Sequence, residues 1–507
     1  TLSGLRQDRD GHYNTDIQVG ANDANAPTYV PTYGRTAISL STTSDTGTQQ
    51  LYSGRIEWNV GGLQFLSLTA WGKSEGVNNQ DLTTIFGPYI PPLYGLGSDA
   101  TVLIADSAET EKFSQEFRLS GKVDRVDWRV GAFYTKEDGN VAQSLFLFNG
   151  GSQVATPFAS SGPISYKEYA GFGDVTVHIT DKFNFQAGVR YAKNKQEYVS
   201  ETIVDDPAVP LFLESAITPK AKSEESKVTW AVSPSYHFTS DLMSYLRIAT
   251  GYRPGGPNTG GIASLPPTYN SDSVVNYELG LKGLIADRAL SFDVALFQID
   301  WKDIQLQNTD SSNQFVFFTN GGKAQSRGLE VEMSWRPLQG LTIDANAALL
   351  DAKLKEALPS RSGADTLVGA NGDRLPASAK FSGNLSVQQD FLVNALDFYI
   401  GANWGYVGAR KSDFVNSAEA GVVPRFDLPS YSVVDLRGGV TYESKWHANL
   451  YVRNIFNKDG VVSATNRNGT NLGPDPAHPD DPSFSKPITM VNFLQPRTIG
   501  VTLSADF

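Results

Sequence analysis

Apolar and polar residues alternate one by one in segment after segment of this chain. In the terminal stretch Ile499, Val501, Leu503, Ala505 and Phe507 alternate with Thr498, Gly500, Thr502, Ser504 and Asp506. A period of two places one set on each face of a β-strand. Phe183, Phe185, Ala187, Val189 and Tyr191 alternate in the same way with Asn184, Gln186, Gly188 and Arg190. Leu329, Val331, Met333 and Trp335 alternate with Glu330, Glu332, Ser334 and Arg336, and Trp446, Ala448, Leu450 and Val452 with their polar neighbours. The pattern predicts about 18 strands of roughly ten residues or more, the length a tilted strand needs to cross a bilayer. One face of each would meet lipid and the other a watery lumen. No apolar run is long enough for a membrane-spanning helix. The predicted fold is all-β: an antiparallel transmembrane β-barrel of the outer-membrane type, closed so that no backbone polar group faces lipid unpaired.

The connections support this reading. Tight links fall at Val60-Gly61-Gly62, Thr180-Asp181-Lys182, Thr239-Ser240-Asp241, Pro337 to Gly340 and Glu443-Ser444-Lys445. These are turn residues. Long links rich in Gly, Pro, Asn, Ser and Asp are expected near 9–49, 74–111, 138–165, 253–272, 353–378 and 457–494. Alternation of short and long predicts periplasmic turns at one rim and external loops at the other. Trp58, Trp71, Trp128, Trp335 and Trp446, near strand ends on the lipid side, suit interfacial girdles. A soluble propeller should instead repeat a blade motif every forty to fifty residues or so, and none recurs.

Composition adds exclusions. Cysteine is absent, so no disulfide or thiolate metal site is possible. The formal net charge of −12 argues against a nucleic-acid partner. The five histidines, His12, His178, His237, His447 and His478, are scattered. No nucleophile motif, phosphate-binding loop or paired ligand set appears, so no enzyme activity, cofactor or bound metal is expected. The acidic, proline-rich segment Pro474 to Pro482 matches no calcium-loop spacing and reads as a solvated external loop.

Five segments carry a family resemblance. Tyr245 to Asn258 reads Tyr-Leu-Arg-Ile-Ala-Thr-Gly-Tyr-Arg-Pro-Gly-Gly-Pro-Asn. Asn276 to Gly283, Phe292 to Ile304, Asn320 to Glu332 and Tyr451 to Lys458 follow in order, with the terminal aromatic Phe507. Together they resemble the barrel domain of TonB-dependent outer-membrane receptors. The resemblance covers the barrel alone, and implies a family barrel of twenty-two strands with a globular plug and a TonB-contacting segment before it. The chain would then be a fragment, its residues 1–507 one barrel domain lacking the plug and about four strands. It also implies a Gram-negative outer-membrane location, and lipid, the TonB complex and a scarce bulky solute as partners. An iron–siderophore complex is the expected cargo, being the commonest in the family. Phe507 would act as the membrane-insertion signal.

Two sets of side chains are site candidates. On the external loops Phe86, Tyr89, Tyr94, Tyr252, Arg253, Asn258, Tyr269, Phe317, Arg410, Phe414, Arg425 and Phe426 offer rings and cations. These suit a bulky anionic or catechol-like chelate, and equally a carbohydrate. On the lumen face Glu116, Arg118, Asp174, Arg190, Arg247, Glu278, Lys282, Glu330 and Glu332 must be paired or hydrated, and are expected to meet a plug. The alternatives are a passive porin of eighteen strands, which predicts steady conductance, an uptake receptor for a carbohydrate or other organic nutrient, and a surface adhesion protein.

Overall fold

The structure, a computed structural model, describes all residues except 12–16, 20–42, 88–89, 205–215, 218, 259–265, 310–315, 359–368, 395, 413, 415–425, 444, 468–487 and 507. Its main body is one twenty-stranded sheet, of which Glu201–Val204 and Ala216–Ile217 are short additions to the eighteen strands that make the wall (20 − 2 = 18). The register runs antiparallel from Leu2–Gly11 through Ser44–Val60, Leu63–Asp81 and Thr101–Val123 to Val126–Asn149, Ser152–His178 and Phe183–Tyr198. It continues through Ala221–His237, Leu242–Arg253, Asp272–Ile285, Leu290–Lys302, Lys323–Leu338 and Leu341–Leu354. Phe381–Val393, Leu396–Val407, Tyr431–Tyr442, Trp446–Arg453 and Thr498–Ala505 complete the wall.

The alternation in the sequence is the two faces of this wall. Ile499, Val501 and Leu503 lie bare on the outer face, Leu503 at 76 % exposure. In water such a stripe would be unfavourable; in lipid it is the solvated state. Trp58, Trp335 and Trp446 also stand exposed on the outside, beside the short connections, where a lower aromatic girdle belongs. Trp71 stacks on Tyr52, ring centres 5.9 Å apart, towards the other rim. Inside, tyrosines lie flat over glycines of the next strand. A Cβ on Gly280 would come within 2.2 Å of the Tyr245 ring, and one on Gly500 within 2.3 Å of Tyr451. Glycine is required at both places so that the ring can cover the backbone.

Short turns close one rim, as expected, and longer links the other. The segment near 138–165 differs from expectation. Strands run to Asn149 and from Ser152, joined only by Gly150 and Gly151, whose φ values of 59° and 83° suit a two-residue hairpin. The strands here project above the bilayer, where neither face meets lipid. Alternation therefore fades and the composition imitates a loop. Likewise Leu63–Asp81 and Thr101–Val123 shorten the link expected at 74–111 to residues 82–100, which carry two short helices.

Candidate functional site

Most of the loop aromatics hold the loops together. Phe86 and Tyr94 pack on Leu82, Ile90, Val102, Leu145 and Leu147. Phe414 is buried with Ile304, Ala324, Leu354 and Leu358, and Phe426 with Leu428, Val461, Ala464 and Val491. Phe317 is buried as well. Phe317, Phe414 and Phe426 are buried and have no free face for a solute, which corrects their assignment as cargo contacts, whereas Phe86 and Tyr94 are partly buried and pack one face on the loop core. Loops that carry their own small apolar cores stay folded over water. Asn258 is also structural: its amide donates to the Pro266 and Phe318 carbonyls at 2.9 and 3.0 Å, and its carbonyl accepts from the Phe318 N–H at 2.7 Å. Arg410 donates to the Val461 carbonyl at 2.8 Å and lies 5.4 Å from the Tyr431 ring. Tyr89, Arg425 and Phe507 lie outside the described residues, as does the segment Pro474 to Pro482.

What remains open at the mouth is a group around the Tyr252-Arg253-Pro254 segment. Arg253 Nη2 meets Asp272 Oδ2 at 2.6 Å, and its guanidinium lies 5.9 Å from the Trp301 ring. The carboxylate of Asp272 is buried and fixes one edge of the Arg253 guanidinium, while 53 % of the arginine side chain stays exposed. Gln305 ties this strand end to the neighbouring loop through the Pro254 and Asn270 carbonyls, at 2.8 and 3.1 Å. Tyr269 packs on Phe318, ring centres 5.3 Å apart, and burial pushes its phenol above the ordinary value, with Arg253 opposing. Phe318 keeps an exposed face. Tyr252 is half-buried at the end of its strand. Sequence reasoning found Tyr252, Arg253 and Tyr269 but missed Trp301 and Phe318. Trp301 reads as one more strand residue, and Phe318 stands directly beside its buried neighbour Phe317.

The lumen charges largely satisfy one another along the wall. Glu116 pairs with Arg118 on the same strand. Asp174 meets Arg129 at 2.7 Å and Arg190 meets Glu168 at 2.5 Å. The Arg190 guanidinium also lies 5.3 Å from the Phe133 ring, and the Tyr166 hydroxyl donates to Glu168 at 2.6 Å. Glu278 accepts from the Tyr245 hydroxyl at 2.7 Å, while Lys282 pairs with Asp293 at 2.6 Å. Among the described residues the side chains of Arg247, Glu330 and Glu332 form no hydrogen bond or ion pair. Arg437, missed in the sequence, reaches Gln388 at 3.0 Å and Asn403 at 3.2 Å. Its partners stand on the next strand and on the one beyond it, and become visible only once register is known. Among the described residues no group of three or more His, Asp or Glu side chains could hold a metal ion.

A wall with a bare apolar exterior, a paired polar interior and a loop-built mouth is an outer-membrane receptor barrel. The family model for the TonB dependent receptor-like β-barrel matches residues 2–455, and the chain belongs to that family. Its place is accordingly the Gram-negative outer membrane. The pesticin receptor of Yersinia pestis is 27 % identical over 305 residues, 59 % of this chain and 40 % of that protein. The chain thus spans about two fifths of that relative's length. The ferric yersiniabactin uptake receptor of Yersinia pestis superposes with a TM-score of 0.73 at 18 % identity, covering 100 % of this chain and 67 % of that one. The siderophore receptor of Acinetobacter baumannii gives 0.71 at 15 % identity, covering 99 % and 71 %. At such identities the two structures speak for the fold.

Proposed function

We propose that this barrel is the membrane wall of an active uptake receptor for a bulky metal chelate, an iron–siderophore complex above all. The observation that carries the reading is the family match over residues 2–455. The cargo of one structural relative, ferric yersiniabactin, points the same way. The mouth is chemically suited: the exposed edge of Arg253 offers charge to an anionic chelate, and Tyr269 and Phe318 offer rings. Arg247, Glu330 and Glu332 would face a plug, and TonB would pull that plug to release the solute inward. The wall contributes rigidity, because its strands form one continuous antiparallel hydrogen-bonded series from Leu2–Gly11 to Thr498–Ala505, which resists yielding when the plug is pulled.

The test is uptake of radio-iron presented on a panel of siderophores by cells lacking the gene and cells carrying it back. Uptake of one chelate that needs both this gene and TonB supports the proposal. Gene-dependent uptake of a carbohydrate in place of every chelate would reassign the cargo. Steady ion conductance of the purified protein in a planar bilayer, with no dependence on TonB for solute entry, would replace it with the porin reading.

A further inference from the structure

Towards the external rim the wall parts along one line. The ladder between Ala221–His237 and Leu242–Arg253 ends at Ala231 and Ala249. Each strand climbs on beside its other neighbour, the first along Phe183–Tyr198 up to Ala221 and the second along Asp272–Ile285 up to Arg253. Side chains close the seam in place of backbone. The Thr250 hydroxyl accepts the Trp230 N–H at 2.8 Å and donates to the carbonyl of the same residue at 3.2 Å, the two roles that a facing peptide would have filled. Beyond Arg253 the chain turns, and Gly256–Pro257 pairs with Thr268–Tyr269 as two short strands.

Glu225 bridges what remains of the gap. From Ala221 to Thr229 the odd-numbered residues are half-buried on the lumen side and the even-numbered ones exposed. Glu225 therefore points inward, while Glu224 points outward to Lys193 and Lys195, at 2.6 and 3.0 Å. Oε2 of Glu225 accepts the Gly255 N–H at 3.1 Å, and Oε1 accepts the Ser271 N–H at 3.0 Å. Gly255 lies two residues past Arg253 on one arm of the mouth, and Ser271 two residues past Tyr269 on the other. One carboxylate thus grips both arms, and Gln196 from the adjacent strand adds a bond to the Gly255 carbonyl. Glycine is needed at 255 for this grip. A Cβ there would lie 2.3 Å from the Tyr269 carbonyl oxygen and 2.8 Å from the Ser271 nitrogen, and would push the arms apart.

We propose that Glu225 is a positioning residue of the mouth, setting Arg253 and Tyr269 at the spacing in which both can meet one solute. Its chemistry is matched to the task. Gly255 and Ser271 are buried and both present donors, so both oxygens of the bridging group must accept. A carboxylate does so. Glutamine would turn an NH2 group towards one of the two N–H groups and release that arm. A buried N–H left without a partner is costly, so losing the carboxylate moves the arms rather than merely slackening them. Their other holds lie across the mouth: Gln305 donates to the Pro254 and Asn270 carbonyls, and Asn320 to the Asn270 carbonyl at 2.9 Å. Without Glu225 the arms would settle towards those holds and away from the seam. The solute part of this inference rests on the cargo reading above; the geometric part does not.

The test is residue-resolved hydrogen exchange of the purified protein in detergent, joined to binding of each ferric siderophore of the uptake panel. The variants are Glu225→Ala, Glu225→Gln and, as a control on the outward neighbour, Glu224→Gln. Heat-modifiable migration on gels checks that each is a folded barrel. Glu225→Ala is expected to speed exchange of the Gly255 and Ser271 amides about tenfold, the loss of a hydrogen bond to a charged acceptor at each. Glu225→Gln should release one of the two amides and keep the other, and Glu224→Gln should change neither. Affinity for the bound chelate should fall about tenfold in Glu225→Ala, and by much less when Arg253 is already alanine, because Glu225 acts through the groups it places. Unchanged exchange of Gly255 and Ser271 in Glu225→Ala would overturn the proposal. So would an equal fall in affinity in the Arg253→Ala background, or an equal effect of Glu224→Gln. If the unaltered protein binds no chelate of the panel, the cargo reading fails separately. Exchange of the Gln305 amide then decides the positioning role, since that N–H rests on Asp272, the partner of Arg253. Faster exchange there in Glu225→Ala sustains the role, and unchanged exchange overturns it.

Discussion

Replacing Arg253 by alanine separates two roles that the mouth combines in one side chain. The guanidinium compensates Asp272, whose residue is only 3 % exposed, and the same carboxylate also accepts the Gln305 N–H at 3.3 Å. Removing one partner of a fully buried pair costs about 3–5 kcal/mol. The arginine is half in water, so the exposed-pair limit applies to part of its contribution, and about 2 kcal/mol is the reasonable loss here. That corresponds to roughly 30-fold faster opening of the strand ends at Arg253 and Asp272. Hydrogen exchange of the Gln305 amide and its neighbours reads this directly. Asp272→Asn removes the orphaned charge, so the double variant should recover most of the protection. Cargo affinity of that double variant then decides the arginine's second role: it stays low if Arg253 touches the solute and returns if the arginine only props the loop. Unchanged exchange in Arg253→Ala, or no recovery in the double variant, would refute the reasoning.

Three further outcomes follow from the same geometry. Phe318→Ala should weaken cargo binding while leaving loop exchange unaltered, whereas Phe414→Ala should cost about 3–5 kcal/mol in the loop core and speed exchange around Ile304 and Leu354 before any direct effect on cargo. Val501→Arg places a charge on the bare outer stripe and should cost about 2–4 kcal/mol in equilibrium folding into bilayers if the site lies near the midplane; a loss below 1 kcal/mol or so would move Val501 to the interface. Deleting Phe507 should reduce assembled barrel in the membrane far more than it changes solute binding by the barrels that do form, and normal yield would count against an insertion signal there.

The wall was legible in the sequence because lipid on one side and water on the other impose a strict period of two. Leu329 to Trp335 and Ile499 to Leu503 needed no other information. Alternation failed where that contrast disappears, above the bilayer, and there Gly139 to Pro163 looked like a loop while forming two long paired strands. The site was less legible for a different reason. Residue type alone cannot distinguish a ring that faces cargo from one that packs a loop, and Phe317 and Phe318 are neighbours with opposite fates. Lumen charges were found because they interrupt an alternating strand. Their partners, such as Arg129 for Asp174 and Asp293 for Lys282, stand on adjacent strands and are fixed by register.

The hairpin closed by Gly150 and Gly151 makes the strands of the wall very unequal in height. Ser152–His178 has 27 residues and Leu396–Val407 has 12. At about 3.3 Å per residue and a tilt near 40°, the tall strand stands roughly 40 Å above the low one. That parapet is hydrogen-bonded backbone, far stiffer than a pliable loop. A diffusing chelate, a sugar chain on the cell surface or an antibody arriving from that quarter meets a fixed screen. An approach from that side is thus screened by paired backbone before any side chain is touched.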